Sequence, residues 1–290
     1  MIGYADDIML ISPTIDGLQD MINKCSNYMT EHNLAFSTNP IAKKCKTKCM
    51  AFMKKACELK PLSLNGNDLP WVTSTKHLGT TIDTSLNGMA KDLMEKRAMF
   101  INRNNELIQE FKFAYPETII KTNNIFNTSM YGCVLWDLFN NEAVRLEKSW
   151  NISQRLMLGL HRETHRYFLE PISKTKHITF HLYKRFVKFI NQMMGSKKKV
   201  LRILCENALT NRKSISGRNI RRLMLRYGAD NFKELCISIK TKQEYRPSTE
   251  DNLWKISAVK DLIDAKYDSS VLPNFTNEEI DCLRDYISTC

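Results

Sequence analysis

The chain is 290 residues long, with 43 Lys and Arg against 31 Asp and Glu, a net charge of +12 and a pI near 9.2. That length accommodates one large or two ordinary domains, and the positive excess favours a polyanionic partner, nucleic acid before an anionic membrane surface. No run of eighteen apolar residues occurs, so no membrane-spanning helix is expected. The N-terminus lacks the basic stretch and longer apolar core of a secretory signal. Nine scattered cysteines, an odd number, read as reduced thiols rather than as a disulfide framework, which suits an intracellular protein, cytoplasmic or nuclear.

Residues 1–84 carry the strand-like material. Ile2 and Ile8-Met9-Leu10-Ile11 flank Tyr4-Ala5-Asp6-Asp7, which predicts a β-hairpin with paired carboxylates at its turn. Thr14 or Asp16 can cap a helix through Leu18, Met21, Ile22, Cys25 and Met29, a spacing that gives one apolar face. Short strands are expected at Leu34–Phe36 and Cys49–Met53. Leu62–Leu64 and Leu69–Val72 flank Asn65-Gly66-Asn67-Asp68, a strong hairpin signal, and one more extended segment is expected over Lys76–Ile82.

From about residue 85 the pattern turns helical. Helices are expected near 85–112, 116–130, 142–160, 178–194, 197–209, 216–227, 230–239, 252–265 and 276–287. Breaks fall at Pro116, Pro171, Gly195, Gly228, Pro247 and Pro273. Charge is uneven: residues 145–246 hold 24 Lys and Arg against 7 acids, while the last forty run acidic. Cations and aromatics interleave through Arg162, His165, Arg166, Tyr167, Lys184, Arg185, Phe186, Lys188, Lys197-Lys198-Lys199, Arg218, Arg221, Arg222 and Arg226. The cations are expected to meet phosphates; the aromatics are expected in the core. His161 and His165, four apart, could share a helix face, but no zinc-hydrolase pattern surrounds them. Cys45 and Cys49 have no second Cys/His pair of suitable spacing nearby, so zinc is not expected.

Several stretches, in this order, resemble the reverse transcriptases of non-LTR (LINE-type) retrotransposons. They are Tyr4-Ala5-Asp6-Asp7, Ser37–Phe52 (STNPIAKKCKTKCMAF), Ser74-Thr75-Lys76-His77-Leu78-Gly79-Thr80, Tyr131–Trp136, Trp150–Ser153, Arg162–Tyr167, Glu170-Pro171 and Ser216–Arg221. The resemblance implies an α+β fold: a partial polymerase palm of few antiparallel strands plus helices over 1–84, a helical thumb or connector over 85–175, and a basic helical region with an acidic tail over 176–290. It implies an RNA-directed DNA polymerase that copies an RNA template from a DNA primer, using dNTP and Mg²⁺.

Two-metal phosphoryl transfer needs carboxylates that hold two Mg²⁺ ions close together. By the resemblance, Asp6 and Asp7 are metal-site and catalytic carboxylates, Asp6 the direct ligand and Asp7 its support. Lys46 fits a triphosphate contact that protonates the leaving pyrophosphate, with Lys48 the alternative. Lys76, His77, Leu78 and Gly79 fall in the primer grip, where a glycine lets a phosphodiester backbone approach closely. Tyr4 belongs with the nucleic-acid contacts. So do Arg162, Arg166, Lys184, Arg185, Lys197, Lys198, Lys199, Arg218, Arg221 and Arg222. The family's fingers and first palm aspartate have no counterpart in these residues, so the expectation is a piece of the enzyme that does not polymerise alone. The alternative is a non-enzymatic nucleic-acid-binding remnant; the blandest is a helical interaction protein.

Overall fold

Short hairpins and one long amphipathic helix build the first of two units, Met1–Leu86, and helices build the second, Asn87–Cys290. The computed structural model describes residues 2–4, 6–38, 45–53, 58–85, 89–116, 118–120, 122, 130–173 and 175–241. The fold is α+β, and each described strand pair is an antiparallel two-stranded sheet.

In the first unit β1 (Ile2–Tyr4) pairs with β2 (Asp7–Met9), Tyr4 opposite Asp7, with Asp6 in the turn before β2. Helix α1 (Ile15–Glu31) starts at Thr14, whose hydroxyl accepts from the Gly17 N–H at 3.2 Å, so of the two expected caps Thr14 serves. Asp16 instead lies in the first turn, where negative charge suits the helix dipole. Ile22 of α1 packs with Cys49, Leu62, Leu64 and Leu69. Gln19 straps the helix to β3 (Leu62–Leu64): its side chain accepts from Ser63 N and donates to Ser63 O, both at 2.9 Å.

Strand β3 turns through Asn65-Gly66 into β4 (Asn67–Leu69), with φ of 52° and 76° at the two turn residues. A type I′ turn requires that sign at both, and Asn-Gly supplies it at little cost. The segment expected as one extended stretch over Lys76–Ile82 is itself a hairpin. Strand β5 (Ser74–His77) pairs with β6 (Thr80–Asp83) through Leu78-Gly79, at φ 46° and 75°. Leu34–Phe36 forms no strand, and Cys49–Met53 contributes only a single parallel bridge, Cys49 to Trp71. Asn33 at φ 55° turns the chain out of α1 before any pairing begins.

The second unit is built from α2 (Ala90–Glu110), α3 (Asn141–Leu158), the short α4 (Leu169–Ser173), α5 (Ile178–Met194), α6 (Lys199–Thr210), α7 (Ile215–Tyr227) and α8 (Phe232–Thr241). Single 3₁₀ turns lie at Cys133–Leu135 and Arg166–Phe168. Leu93 and Phe100 of α2, Leu146 and Trp150 of α3, Phe186 of α5, Leu223 of α7 and Leu235 of α8 meet around Trp136 in one core. Phe100 and Trp150 stack at 5.6 Å, and the Trp136 indole donates to Asp92 at 2.8 Å. Buried Asn219 pins the 136–138 segment to α7, accepting from Leu138 N at 3.1 Å and donating to Trp136 O at 2.8 Å. The expected helices over 252–265 and 276–287 lie outside the described residues, as does much of 116–130. No described helix is long and apolar enough to cross a membrane.

Candidate nucleic-acid interface

The first unit presents its acidic and basic groups at hairpin ends and on one extended segment. Asp6 stands in the β1–β2 turn and Asp7 opens β2, both exposed. Residues 45–49 alternate: Cys45 and Cys49 are buried, Lys46 and Lys48 point to solvent, and the Thr47 hydroxyl donates to Ser37 O at 3.1 Å. Two sulfur anchors therefore fix a short stretch that displays two lysines. Burial, aided by nearby Cys45, pushes the Cys49 thiol up to about 11, so it packs as a neutral thiol. Residues 39–44 of the same motif lie outside the described set. At the β5–β6 tip Lys76, Leu78 and Gly79 are exposed and His77 is half-buried. Left-handed backbone costs a residue such as Leu78 about 1–2 kcal/mol. Strain of that kind concentrates at functional sites.

Two-metal chemistry requires more than one pair of neighbouring carboxylates. Among the described residues no three His, Cys, Asp or Glu side chains are grouped to hold a metal ion. Asp6 and Asp7 by themselves fall short of such a donor set.

The second unit carries the cations. Helix α5 buries Ile178, Leu182, Tyr183, Phe186, Val187 and Ile190, which turns Lys184 and Lys188 outward four residues apart. Arg185 is half-buried and reaches the Cys133 thiol. Helix α7 buries Gly217, Asn219, Ile220, Leu223 and Tyr227 and exposes Arg221, Arg222 and Arg226. Arg218 is committed inward to Asp137 at 3.0 Å, and Arg166 pairs with Glu147 at 3.1 Å, while Arg162 is exposed. Lys197, Lys198 and Lys199 are exposed at the start of α6, where Lys198 provides no side-chain cap and the first turn has no acid. Cations stacked on a positive helix end repel one another and favour an anion there.

Two of these cations, Arg166 and Arg226, lie near one half-buried group. His177 caps α5, its Nδ1 at 2.8 Å from Thr179 Oγ1 and its Nε2 at 3.0 Å from Asn151 Oδ1. Burial first, then the neighbouring Arg166, Arg226 and His181, holds its pKa down to about 4. His181 is depressed as well, by burial and then by Arg185, with Lys184 adding to it. Arg166, the first half of α5 and the end of α7 thus share one region of positive potential. His177 and His181 were not singled out from the sequence, since a histidine beside cations has no spacing signature.

His161 and His165 do not share a helix face. Gly159 closes α3, and both histidines lie in the turns that follow, His161 Nδ1 accepting from Glu163 N at 3.2 Å and His165 stacking on Tyr167 at 3.9 Å. No family model, no curated protein and no solved structure matches this chain.

Proposed function

We propose that this chain is the end-of-palm and thumb part of a non-LTR-type RNA-directed DNA polymerase, and that its own work is to hold the RNA–DNA duplex. The observation that carries this reading is the set of cations near His177 and His181, namely Arg166, Lys184, Arg185 and Arg226. Such a surface neutralises phosphates and reads duplex shape rather than sequence. The acidic hairpin at Asp6-Asp7 and the strained Leu78-Gly79 tip support the polymerase assignment by their order in the sequence.

A second reading, a nucleic-acid-binding protein without catalysis, is favoured by one observation: the cation region is complete within the second unit and uses neither Asp6 nor Asp7. The test is binding of the purified chain to a labelled RNA–DNA hybrid over a salt series. Log affinity should fall linearly with log salt, by about 0.7–0.9 for each phosphate neutralised. Asp6→Asn and Asp7→Asn should leave binding unchanged or slightly tighter, and no primer extension should occur with Mg²⁺ and dNTP. Salt-independent behaviour, or no binding at all, would sink the proposal; detectable primer extension would refute the inactivity of the chain alone.

A further inference from the structure

Helix α6 leaves an apolar group of side chains in solvent. Its Cys205 joins the core of the second unit and Leu209 packs against that core. Val200, Ile203 and Leu204 are instead 67, 43 and 56 % exposed. Their spacings of three and four residues make them neighbours on a helix. Lys197, Lys198, Lys199 and Arg202 are exposed beside them, and Glu206 is the acid of the helix.

An occupant of this patch must bring aliphatic side chains and negative charge together. A nucleic-acid strand brings the charge without the aliphatic groups. A second copy brings a chain of net charge +12 to a basic surface, and like charges repel. The segment 276–287, outside the described residues, matches both demands in its sequence. Thr276 and Glu279 form a Thr-x-x-Glu helix start, and Ile280, Leu283 and Ile287 recur at three and four residues. Around them stand Glu278, Glu279, Asp281 and Asp285 against Arg284. The segment 252–265 is apolar too, but its Lys255 and Lys260 cancel Asp261 and Asp264.

The connection is long enough. Helix α8 ends at Thr241 and packs on α5 and α7, the helices against which α6 also packs. The 34 residues between Thr241 and Thr276 can reach up to about 110 Å. A unit of this size has a radius of gyration of roughly 17 Å. Being on the same chain, the segment meets the patch at an effective concentration that a free partner must exceed.

We propose that residues 276–287 dock on the exposed side of α6, setting Ile280, Leu283 and Ile287 on Val200, Ile203 and Leu204 and their acids against Lys197–Lys199 and Arg202. The contact goes beyond the nucleic-acid reading and does not depend on it. Lys197, Lys198 and Lys199, expected from the sequence to meet phosphates, then serve carboxylates of their own chain.

The test is carbodiimide cross-linking of the full chain, which joins amines to carboxylates that touch. Mixing unlabelled with isotope-labelled chains separates links within a chain from links between chains, read by mass spectrometry of the peptides. Lys197, Lys198 or Lys199 should link to Glu278, Glu279, Asp281 or Asp285 within one chain. Leu204→Asp, at an exposed position, should reduce these links by about tenfold. Leu225→Asp, exposed on α7, should leave them unchanged. Links between differently labelled chains would put a second copy on the patch and overturn the proposal. Links no more frequent than those of exposed Lys148 on α3 would overturn it as well, and the unsubstituted chain alone decides that point. Retention on phosphatidylserine vesicles in place of the links would assign the patch to a membrane surface instead.

Discussion

Gln154 lies on the α3 face that also buries Trp150, Met157 and Leu158, and it is 1 % exposed. Neither end of its amide has a hydrogen-bond partner among the described residues. A buried polar group left unmatched costs roughly 1–3 kcal/mol. Gln154→Met keeps the shape and removes the polar atoms, so it should stabilise the unit by about 1–2 kcal/mol. The readout is a higher urea midpoint with unchanged slope; a lower midpoint would contradict the account. Asn219, equally buried, is matched at both ends of its amide and would respond in the opposite direction. The sequence does not distinguish the two, because each is a polar residue inside an amphipathic helix. Arg218 shows the same limit. It stands in a stretch that reads as nucleic-acid contacts, yet its guanidinium is held by Asp137, 81 residues earlier.

Helix bounds were the most legible feature at the scale of elements. The helix expected over 178–194 spans Ile178–Met194, and the one expected over 216–227 spans Ile215–Tyr227, since caps and terminal glycines mark both ends. Hairpins were legible only where the turn residues announce themselves. Asn65-Gly66 does so; Leu78-Gly79 does not, because leucine gives no hint of left-handed backbone. The cap of α5 carries a pH prediction. His177 Nδ1 accepts from the Thr179 N–H at 3.3 Å, which requires that nitrogen to be unprotonated. Folded His177 titrates near 4, whereas an unfolded histidine titrates near its ordinary value of about 6.5. The unfolded chain therefore binds the extra proton first. The stability contributed by the neutral cap is fully present above pH of about 6.5 and is lost progressively as pH falls to about 4, by roughly 3 kcal/mol in all. His177→Asn, which caps without titrating, should flatten the stability profile across that window. A profile that keeps its slope in the variant would assign the effect elsewhere.

Across the whole molecule, two units with separate cores imply two unfolding events. The first unit gathers a small core around Ile22, Leu62, Leu64 and Leu69, while the second buries several large aromatics, including Phe100, Trp136, Trp150 and Phe186. Buried apolar area scales stability, so the first unit should melt first. Calorimetry of the full chain should show two transitions, and added RNA–DNA hybrid should raise mainly the upper one, by linkage to the cations of the second unit. A single transition that shifts as a whole would mean the units unfold together. The α+β class was legible from the change of pattern near residue 85. The meeting of Arg166, α5 and α7 was not, because it depends on how the second unit folds back on itself.

The β3–β4 turn has a chemical consequence. Asparagine followed by glycine tends to lose ammonia, because the unhindered glycine nitrogen can attack the side-chain carbonyl. The resulting ring reopens mostly to isoaspartate, which adds a carbon to the main chain and cannot rebuild a two-residue turn. In the folded hairpin the Ser26 hydroxyl holds Asn65 Oδ1 at 2.6 Å, and both turn residues are fixed in left-handed backbone. Ring closure therefore waits for the turn to open. Isoaspartate at position 65 accumulates with the time the hairpin spends open, so the age of a sample is written into the first unit as a covalent record.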